Sequence, residues 1–380
     1  MVYPMRNDAL YMIVPYGIGD AMILCGLKSV IEKQYGAEVI PVLKPSHELV
    51  AKMYDIGNYL VRSFNIEELL QIASEQNLLP GKMFVAHPAF TKRKLDEDFL
   101  NHKLGFVEMF REFLGIENGD GITLPKFGPE YVSEIDEEAL KIKIGVSNFD
   151  DVILVAPEIK SASESERIQD EWYLNKIHEY EKHGYKVVVN CDAHRSNYTE
   201  HAVDMTLDEL AYLGTKAKKV ISVRSGFCDL IYLYSKSMDV LYPNVAFYDL
   251  FCMKQIFANI ESRTRELIVN ISELLKRREY KNVALYGYGE VGKRILYSLN
   301  KEGFYVKYVI DKSAEKINDV DAYYPSDKLP DVDVVLVTIL IDVNEIRKMM
   351  QLQSKEVVFL KELMEDIGHE SSSVVLGNII

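Results

Sequence analysis

Short apolar runs alternate with longer amphipathic stretches along the first 260 residues, and this pattern predicts parallel β-sheets. The runs have the length of strands, and the stretches between them repeat apolar residues at helical spacing. Strand–helix alternation of this kind favours parallel sheets that are covered by helices on both faces. The strands predicted in this part of the chain are 11–14, 38–43, 83–87, 152–157, 186–191, 219–223 and 241–243.

A polar, acidic stretch near residue 130 interrupts this alternation and predicts a connection between two domains. The helices predicted on its two sides are 21–35, 47–54, 66–75, 105–114, 170–183, 207–215 and 226–235. We therefore predict an α/β protein with Rossmann-like domains at 1–140 and 141–260. Residues 247–280 have a helical pattern, so we expect 261–280 to be a helical linker.

The third domain, predicted at 281–380, begins with a glycine pattern that is typical of dinucleotide-binding turns. Gly287, Gly289 and Gly292 follow an apolar strand and open a helix, and Asp311 ends the next strand about 20 residues further on. A bound NAD or other nucleotide would place its pyrophosphate at the glycines and its ribose at Asp311. Alternatively, this small Rossmann-like domain uses the glycines only for close packing of helix and strand.

Composition and charge exclude several classes of function. The net charge of −14 argues against a nucleic-acid-binding protein with a broad basic face. No apolar run approaches the length of about 20 residues that spans a bilayer, and the N-terminus lacks a secretory pattern, so we expect a cytoplasmic protein. Basic clusters at 92–94 and 276–278 are interpreted as solvated loops or helix ends. The alternative is peripheral contact with anionic headgroups at the inner face of the membrane.

The cysteine pattern gives no sign of a metal site. The four cysteines lie far apart and form no Cys-x-x-Cys pair, which argues against a disulfide framework and a structural zinc site.

The turn between the first strand and the first helix carries the first candidate chemistry. Gly17 and Gly19 permit a tight turn that directs backbone N–H groups toward a ligand at the positive end of the helix, and Asp20 stands where the helix begins. Asp20 is either a structural helix cap, since aspartate favours that position, or a proton acceptor.

A second turn, at the end of the strand 219–223, has the residue types that suit a phosphate. Ser225 and Gly226 would offer N–H groups at a helix N-terminus, and Arg224 adds a guanidinium fork. Lys160 and Arg167, in the polar loop after the strand 152–157, could neutralise a pyrophosphate. The alternatives are an ion pair for Arg224, incidental surface charges for the loop, and a favourable first-turn charge for Asp229.

Taken in order, these features resemble the heptosyltransferase group of GT-B glycosyltransferases. The resemblance covers roughly residues 10–245. It rests on Gly19-Asp20, on the strand 152–157 with Lys160 and Trp172, and on Ser225-Gly226. It implies that 1–140 and 141–260 form a GT-B arrangement of acceptor-side and donor-binding domains, to which 281–380 is added. The family's donor turn has Asp before Ser/Thr-Gly and His three residues after the Gly, where this chain has Arg224 and Asp229.

The resemblance also implies a reaction. It is an inverting, metal-independent transfer from a nucleotide-sugar donor to a glycan or lipid-linked glycan acceptor in cell-surface polysaccharide synthesis, with no cofactor required. Asp20 would accept the acceptor's proton. The leaving nucleoside diphosphate would be stabilised by a set of donor-phosphate ligands. These ligands are expected to be Gly17, Gly19, Lys160, Arg167, Arg224, Ser225 and Gly226.

Two other readings of the whole chain remain open. One is an NAD(P)-dependent sugar-modifying enzyme whose active site lies in the C-terminal domain. The other is a catalytically inactive scaffold that binds nucleotide sugars. His87, at the end of a predicted strand, could line the acceptor side of the site or could be a buried strand-end histidine.

Overall fold

The computed structural model of the chain forms two compact units. The first unit comprises Met1–Ala156, Tyr185–Asp239 and Leu250–Arg265, and the second comprises Pro157–Gly184, Val240–Asp249 and Glu266–Ile380. The residues that the structure describes are 5–75, 78–101, 103–116, 121–158, 168, 170–191, 198–243, 245–257, 260, 263–268, 275, 278–313, 320–339, 343–353, 355–359 and 374–375.

The first unit begins with a four-stranded parallel sheet. Its strands are β1 (Ala9–Ile13), β2 (Glu38–Leu43), β3 (Leu60–Val61) and β4 (Met83–Val85), in the order β3-β2-β1-β4. The helices of this part are α1 (Ile18–Tyr35), α2 (Glu48–Met53), α3 (Ile66–Ser74), α4 (Arg93–Leu100), α5 (Phe106–Leu114), α6 (Pro129–Val132) and α7 (Glu137–Ile144). All five residues of β1 are buried, as expected for a central strand covered on both faces. The strand order reverses between β1 and β4.

A seven-stranded sheet follows along the chain. Its strands are β5 (Val152–Ala156), β6 (Lys186–Asn190), β7 (Ala202–Val203), β8 (Lys219–Val223), β9 (Met238–Tyr242), β10 (Thr264–Ile268) and β16 (Val374–Val375), in the order β16-β10-β9-β8-β5-β6-β7. Strand β5 pairs in parallel with both β6 and β8, so the order reverses between β5 and β8. The helices of this part are α8 (Asp170–Lys182), α9 (Leu207–Lys216), α10 (Gly226–Ile231) and α11 (Val245–Phe251).

Helix α1 is the central helix of the first unit. Every residue from Asp20 to Leu27 is buried, because α1 packs on β2, α2, α5 and α10. The helix ends where Gly36 adopts the left-handed conformation, with φ of 62°. A helix that is covered on all sides needs apolar residues all round, and its sequence shows little amphipathic periodicity for that reason.

The second unit contains a five-stranded parallel sheet. Its strands are β11 (Asn282–Tyr286), β12 (Tyr305–Ile310), β13 (Asp321–Tyr323), β14 (Val334–Val337) and β15 (Val357–Phe359), with helices α12 (Glu290–Lys301) and α13 (Val343–Leu352). The order β13-β12-β11-β14-β15 reverses between β11 and β14. Alternate residues of β11 belong to different apolar clusters: Val283 and Leu285 to one, Ala284 and Tyr286 to the other. The sheet is therefore buried on both faces.

The predicted class, an α/β protein built on parallel sheets, is confirmed by these three sheets. The GT-B arrangement and the domain boundaries stay predictions; segments of both predicted N-terminal domains contribute to the first unit. Within the described residues, no helix is long and apolar enough to cross a membrane.

The predicted helical linker at 261–280 is wrong for part of its length. Residues Thr264–Ile268 form β10, and Leu267 pairs with Val375 in an antiparallel register. The helical pattern of this stretch depends on Leu267 together with Ile271, Leu274 and Leu275, but residues 269–274 lie outside the described part. Hydrogen bonding to neighbouring strands decides the conformation of such a short ambiguous segment.

Candidate active site

The first candidate site lies at the carboxyl edge of the four-stranded sheet, where its strand order reverses. Ligands of open parallel sheets bind in the crevice at such a reversal. Tyr16 and the Gly17–Asp20 turn follow β1, and His87 follows β4. The Tyr16 and His87 rings meet edge to face, with centroids 4.6 Å apart. The structure thus brings the loops after β1 and β4 into direct contact.

Asp20 occupies the first turn of α1 and is almost completely buried. Only 7% of its surface is exposed. The Gly17 N–H donates to the Asp20 Oδ2 atom at 3.2 Å, so that the side chain caps the helix from within its own first turn. The helix-capping role that the sequence allows for Asp20 is therefore present. Asp20 also lies at the carboxyl edge of the sheet, where parallel sheets bind ligands.

Lys44 is a member of this site that sequence reasoning missed. It follows β2, and its Nζ donates to the Tyr16 carbonyl oxygen at 3.0 Å. The sequence signal was available, because β2 pairs in parallel with β1 and the residues after both strands must share one edge of the sheet. Lys44 therefore places a positive charge beside the Gly17–Asp20 turn.

Arg224 is held in an ion pair with Asp229. The Arg224 Nη2 lies 2.9 Å from Asp229 Oδ1, and Nη1 donates to Oδ2 at 3.1 Å. Arg224 also donates to the carbonyl oxygens of Phe251 and Ser225, at 2.7 and 2.6 Å. Only 4% of Arg224 and 2% of Asp229 are exposed. In this conformation, the ion pair considered for Arg224 from the sequence is formed, and the guanidinium is enclosed.

The two predicted site turns touch each other through their glycines. A Cβ atom on Gly226 would lie 2.8 Å from the Gly19 nitrogen and equally close to the Ile18 Cβ. A Cβ on Gly19 would lie 3.0 Å from Asp229 Oδ2. Only glycine permits so close an approach of the two backbones. The structure therefore assembles Gly19, Asp20, Arg224, Ser225 and Gly226 in one cluster, where α1 packs on α10.

The electrostatics of this cluster favour a protonated carboxyl group. Burial is the largest cause that raises the pKa of Asp20; the Gly17 N–H and Lys44 lower the pKa, the Asp229 charge raises it, and the net result is a pKa of about 7. Burial also raises the pKa of Asp229, against the opposing effect of Arg224. Asp20 is therefore poised to accept or release a proton near neutral pH.

The outer wall of the site is aromatic. Tyr16 is 43% exposed, and its ring packs on His87 and Phe90. The His87 Nδ1 accepts from the Ala89 N–H at 3.2 Å, and burial lowers the pKa of His87 to about 4. His87 is therefore neutral at pH 7, and its ring packs edge to face on the Tyr16 ring.

Some of the predicted residues lie outside the described part of the chain. Lys160 and Arg167 belong to this group.

Asp-x-Asp pairs, which can supply carboxylates to a divalent cation, occur at 96–98, 319–321 and 331–333. Across the described ranges, no group of three or more His, Cys, Asp or Glu side chains is placed to hold a metal ion.

The glycine turn of the second unit packs against its own sheet. Gly287 has φ of 99°, which favours glycine, and a Cβ on Gly292 would lie 2.1 Å from the Gly287 carbonyl oxygen. A Cβ on Gly289 would meet nothing within 4 Å. The Asp311 carboxylate accepts from the N–H groups of Tyr288 and Ser313, at 2.7 and 2.9 Å. The four predicted residues are thus brought together at the reversal between β11 and β14.

Comparisons with known proteins give similarity of fold alone. No protein-family model matches the chain, and no curated protein sequence matches it. Among solved structures, a glycosyl transferase family 9 protein from Veillonella parvula is similar at 14% identity and a TM-score of 0.44, covering 73% of this chain and 90% of that one. The E. coli ADP-heptose LPS heptosyltransferase II is similar at 13% identity and a TM-score of 0.47, covering 68% and 89%. Similarity at this level does not establish a shared function.

Proposed function

We propose that the protein is a glycosyltransferase in which Asp20 is the general base. The supporting observation is the Asp20 carboxyl group, buried at a sheet reversal with its pKa raised to about 7. A general base works best when its pKa lies near the operating pH. A buried structural cap would have no need of the Lys44 and Asp229 charges that lie around it.

The proposed reaction is an inverting, metal-independent transfer. An acceptor hydroxyl gives its proton to Asp20 as its oxygen attacks the anomeric carbon of a nucleotide sugar. The bond from that carbon to the diphosphate oxygen breaks, and the nucleoside diphosphate leaves from the opposite face. The proposed acceptor is a glycan or lipid-linked glycan of cell-surface polysaccharide synthesis, whose sugar ring would pack on the exposed face of Tyr16.

The donor phosphates are proposed to bind at the edge where β5 and β8 end. These strands are parallel neighbours, and the Ser225–Gly226 turn follows β8. Lys160 and Arg167 lie outside the described residues and are proposed as further phosphate ligands from the sequence alone. Gly17 and Gly19 are proposed to face the same ligand. Arg224 would reach a phosphate only by exchanging part of its contact with Asp229. Release of a buried pair in this way fits a site that closes and opens around its donor.

The test is transfer by wild type and Asp20→Asn over a panel of nucleoside diphosphate sugars. We expect Asp20→Asn to lower the turnover number by about 10²–10⁴-fold, since general-base catalysis contributes factors of that size. Calorimetric binding of the matching nucleoside diphosphate should stay within a few-fold of wild type. Asp239→Asn is the matched control, because Asp239 is equally buried and pairs with Lys219 and Arg265. Turnover of Asp20→Asn at the wild-type rate would remove Asp20 from the role of base.

A nucleotide site in the second unit is a second proposal. It is favoured by the strand order around β11 together with the packing of Gly292 beneath the Gly287 carbonyl, which dinucleotide-binding turns require. NAD is the first ligand to titrate. Binding that is lost in Asp311→Asn would favour the NAD(P)-dependent alternative. A protein that binds neither NAD nor a nucleoside diphosphate would favour the scaffold alternative.

The cellular place of the reaction is also a proposal. We propose that the protein is cytoplasmic and that exposed basic residues such as Arg93 and Lys94 contact anionic headgroups at the inner face of the membrane. Sedimentation with vesicles that contain anionic lipid, compared with neutral vesicles, tests this contact. The Arg93→Gln/Lys94→Gln double variant is the control.

A further inference from the structure

Two oppositely charged groups lie near the Gly17–Asp20 turn, and they come from different elements. Asp229 belongs to α10, and Lys44 follows β2. Neither is close to Asp20 in sequence. Lys44 donates to the backbone just before this turn, and Asp229 lies next to Gly19 within it.

Asp229 is held over the turn with little freedom. Its Oδ2 lies 3.0 Å from the position that a Cβ on Gly19 would take, directly before Asp20 in the chain. Arg224 Nη1 donates to Asp229 Oδ2, Nη2 lies 2.9 Å from Oδ1, and the side chain of Asp229 is completely buried. Low local dielectric strengthens the action of such a charge on its neighbours.

Lys44 is hydrogen-bonded to the residue that directly precedes the turn. Its ammonium group donates to the Tyr16 carbonyl oxygen, and Tyr16 immediately precedes Gly17, whose N–H donates to Asp20. The positive charge is therefore tied to the same backbone segment as the carboxyl group. Lys44 is half-buried, so the water that would screen its charge is partly excluded.

The remaining polar and charged neighbours of the turn act less directly. The Arg224 guanidinium donates to Asp229 and to two backbone carbonyl oxygens. Arg224 therefore influences Asp20 indirectly, because it orients the Asp229 carboxylate. Burial raises the pKa of the Tyr16 phenol, and the charges of Asp96 and Asp20 raise it further, so the phenol is neutral near pH 7. Among the residues that the structure describes, Asp229 and Lys44 are the formal charges that shift the pKa of Asp20.

We propose that Asp229 and Lys44 are positioning residues that set, with opposite signs, the pH at which Asp20 exchanges its proton. Asp229, oriented by Arg224, holds the proton on Asp20, and Lys44 favours its release. This inference rests on the proposed role of Asp20 as base. The direction of each effect agrees with the raising influence of Asp229 and the lowering influence of Lys44 on the pKa of Asp20.

The experiment is a carboxyl-carbon NMR titration of the full-length protein labelled at aspartate. It needs no substrate, so its result does not depend on whether the protein transfers a sugar. The Asp20 signal is assigned by its absence in Asp20→Asn. We expect the Asp20 midpoint to fall by at least about half a pH unit in Asp229→Asn, and to rise by a similar amount in Lys44→Met.

Matched controls separate this effect from a general loss of packing. Asp239→Asn breaks another buried ion pair, the one with Lys219. Lys219 is the first residue of β8, and Arg224 follows the last residue of the same strand, so the control pair lies at the opposite end of the strand from the site. Lys126→Met removes an exposed lysine that pairs with Asp55. Both controls should leave the Asp20 midpoint unchanged.

The two variants protect the test against a failure of folding. If Asp229→Asn does not fold, Lys44→Met still tests the sign, because Lys44 makes only one backbone hydrogen bond among the contacts described for it. An unchanged Asp20 midpoint in Lys44→Met, or shifts of the same sign in both variants, would overturn the proposal. If the expected opposite shifts occur but Asp20→Asn retains full transfer activity, the proposed function fails while the electrostatic assignment stands.

Discussion

The protein contains two glycine turns of similar design whose acidic residues have different surroundings. In the first unit, Asp20 lies inside the turn, almost completely buried, and accepts one hydrogen bond, from Gly17. In the second unit, Asp311 comes from the neighbouring strand, is half-buried, and accepts from two backbone N–H groups. The turns share their glycines and their place at a sheet reversal. They differ in the element that supplies the carboxylate: the turn itself for Asp20, and the end of the neighbouring strand for Asp311.

On the proposed functions, this difference would suit Asp20 to proton transfer and Asp311 to hydrogen bonding with a ligand. A carboxyl group with little solvation and a like charge nearby holds its proton to near neutral pH, which suits a base. A carboxylate that accepts backbone N–H groups orders the turn and keeps lone pairs for hydroxyl groups of a ligand. The same local motif therefore predicts a position for a ligand, and the surrounding elements decide the chemistry.

The largest expected effect that tests this difference is a pH dependence of stability that belongs to Asp20. Its pKa is raised from 3.8 to about 7 in the folded protein, so the folded state holds a proton that the unfolded chain releases. The resulting stabilisation is fully present below about pH 4 and is lost as the pH rises through 7. It amounts to about 4 kcal/mol, at about 1.4 kcal/mol per pH unit.

The measurement is urea unfolding of wild type and Asp20→Asn at several pH values between 4 and 8. We expect the stability of wild type relative to the variant to decrease steadily over this range. Burial lowers the pKa of His47 and His87 to about 4, which gives the opposite dependence, but both residues are present in both proteins and cancel in the difference. A difference that stays flat would show that Asp20 is already ionised in the folded state.

A second prediction concerns which glycine of the second turn is required. Gly292→Ala places a Cβ 2.1 Å from a backbone oxygen, so α12 must shift away from β11. We expect a loss of about 3 kcal/mol, at the upper end of the range for overpacking. Gly289→Ala should cost less than about 1 kcal/mol, because its Cβ meets nothing and only the helix cap changes. Hydrogen exchange of the β11 amides reports on this unit directly, and equal protection in both variants would contradict the prediction.

The smallest effect is the matching pair of changes in the first unit. Gly226→Ala forces apart the backbones of α10 and α1, where a Cβ would lie 2.8 Å from the Gly19 nitrogen. We expect a loss of about 2 kcal/mol. Gly17 is the N-cap of α1, has a φ of −91°, and has open space where a Cβ would lie. Gly17→Ala should therefore lower the free energy of unfolding by less than about 1 kcal/mol. The measurement is the urea denaturation midpoint of each variant, compared with that of wild type. A larger loss of stability for Gly17→Ala than for Gly226→Ala would contradict the close contact of α1 and α10.

Local patterns were sufficient to predict most strands and the helices at the two glycine turns. The strand at Glu38–Leu43 and the helix that begins near Gly226 were predicted because apolar runs and glycine turns act over a few residues. Strand β10 was missed because its conformation depends on hydrogen bonds to distant strands. Helices α4 and α7 were also missed, since each has only eight residues.

The candidate site was predictable in its parts and not in its connections. The chain itself places Gly17, Gly19 and Asp20 after one strand and Arg224, Ser225 and Gly226 after another, because glycine turns after apolar strands are local features. Only the tertiary structure pairs Arg224 with Asp229, brings Lys44 to Tyr16, and presses Gly226 against Gly19. A charge acts through space, and burial depends on elements that are remote in sequence. The proton affinity of Asp20 therefore comes from the fold, although its position at the start of a helix comes from the sequence.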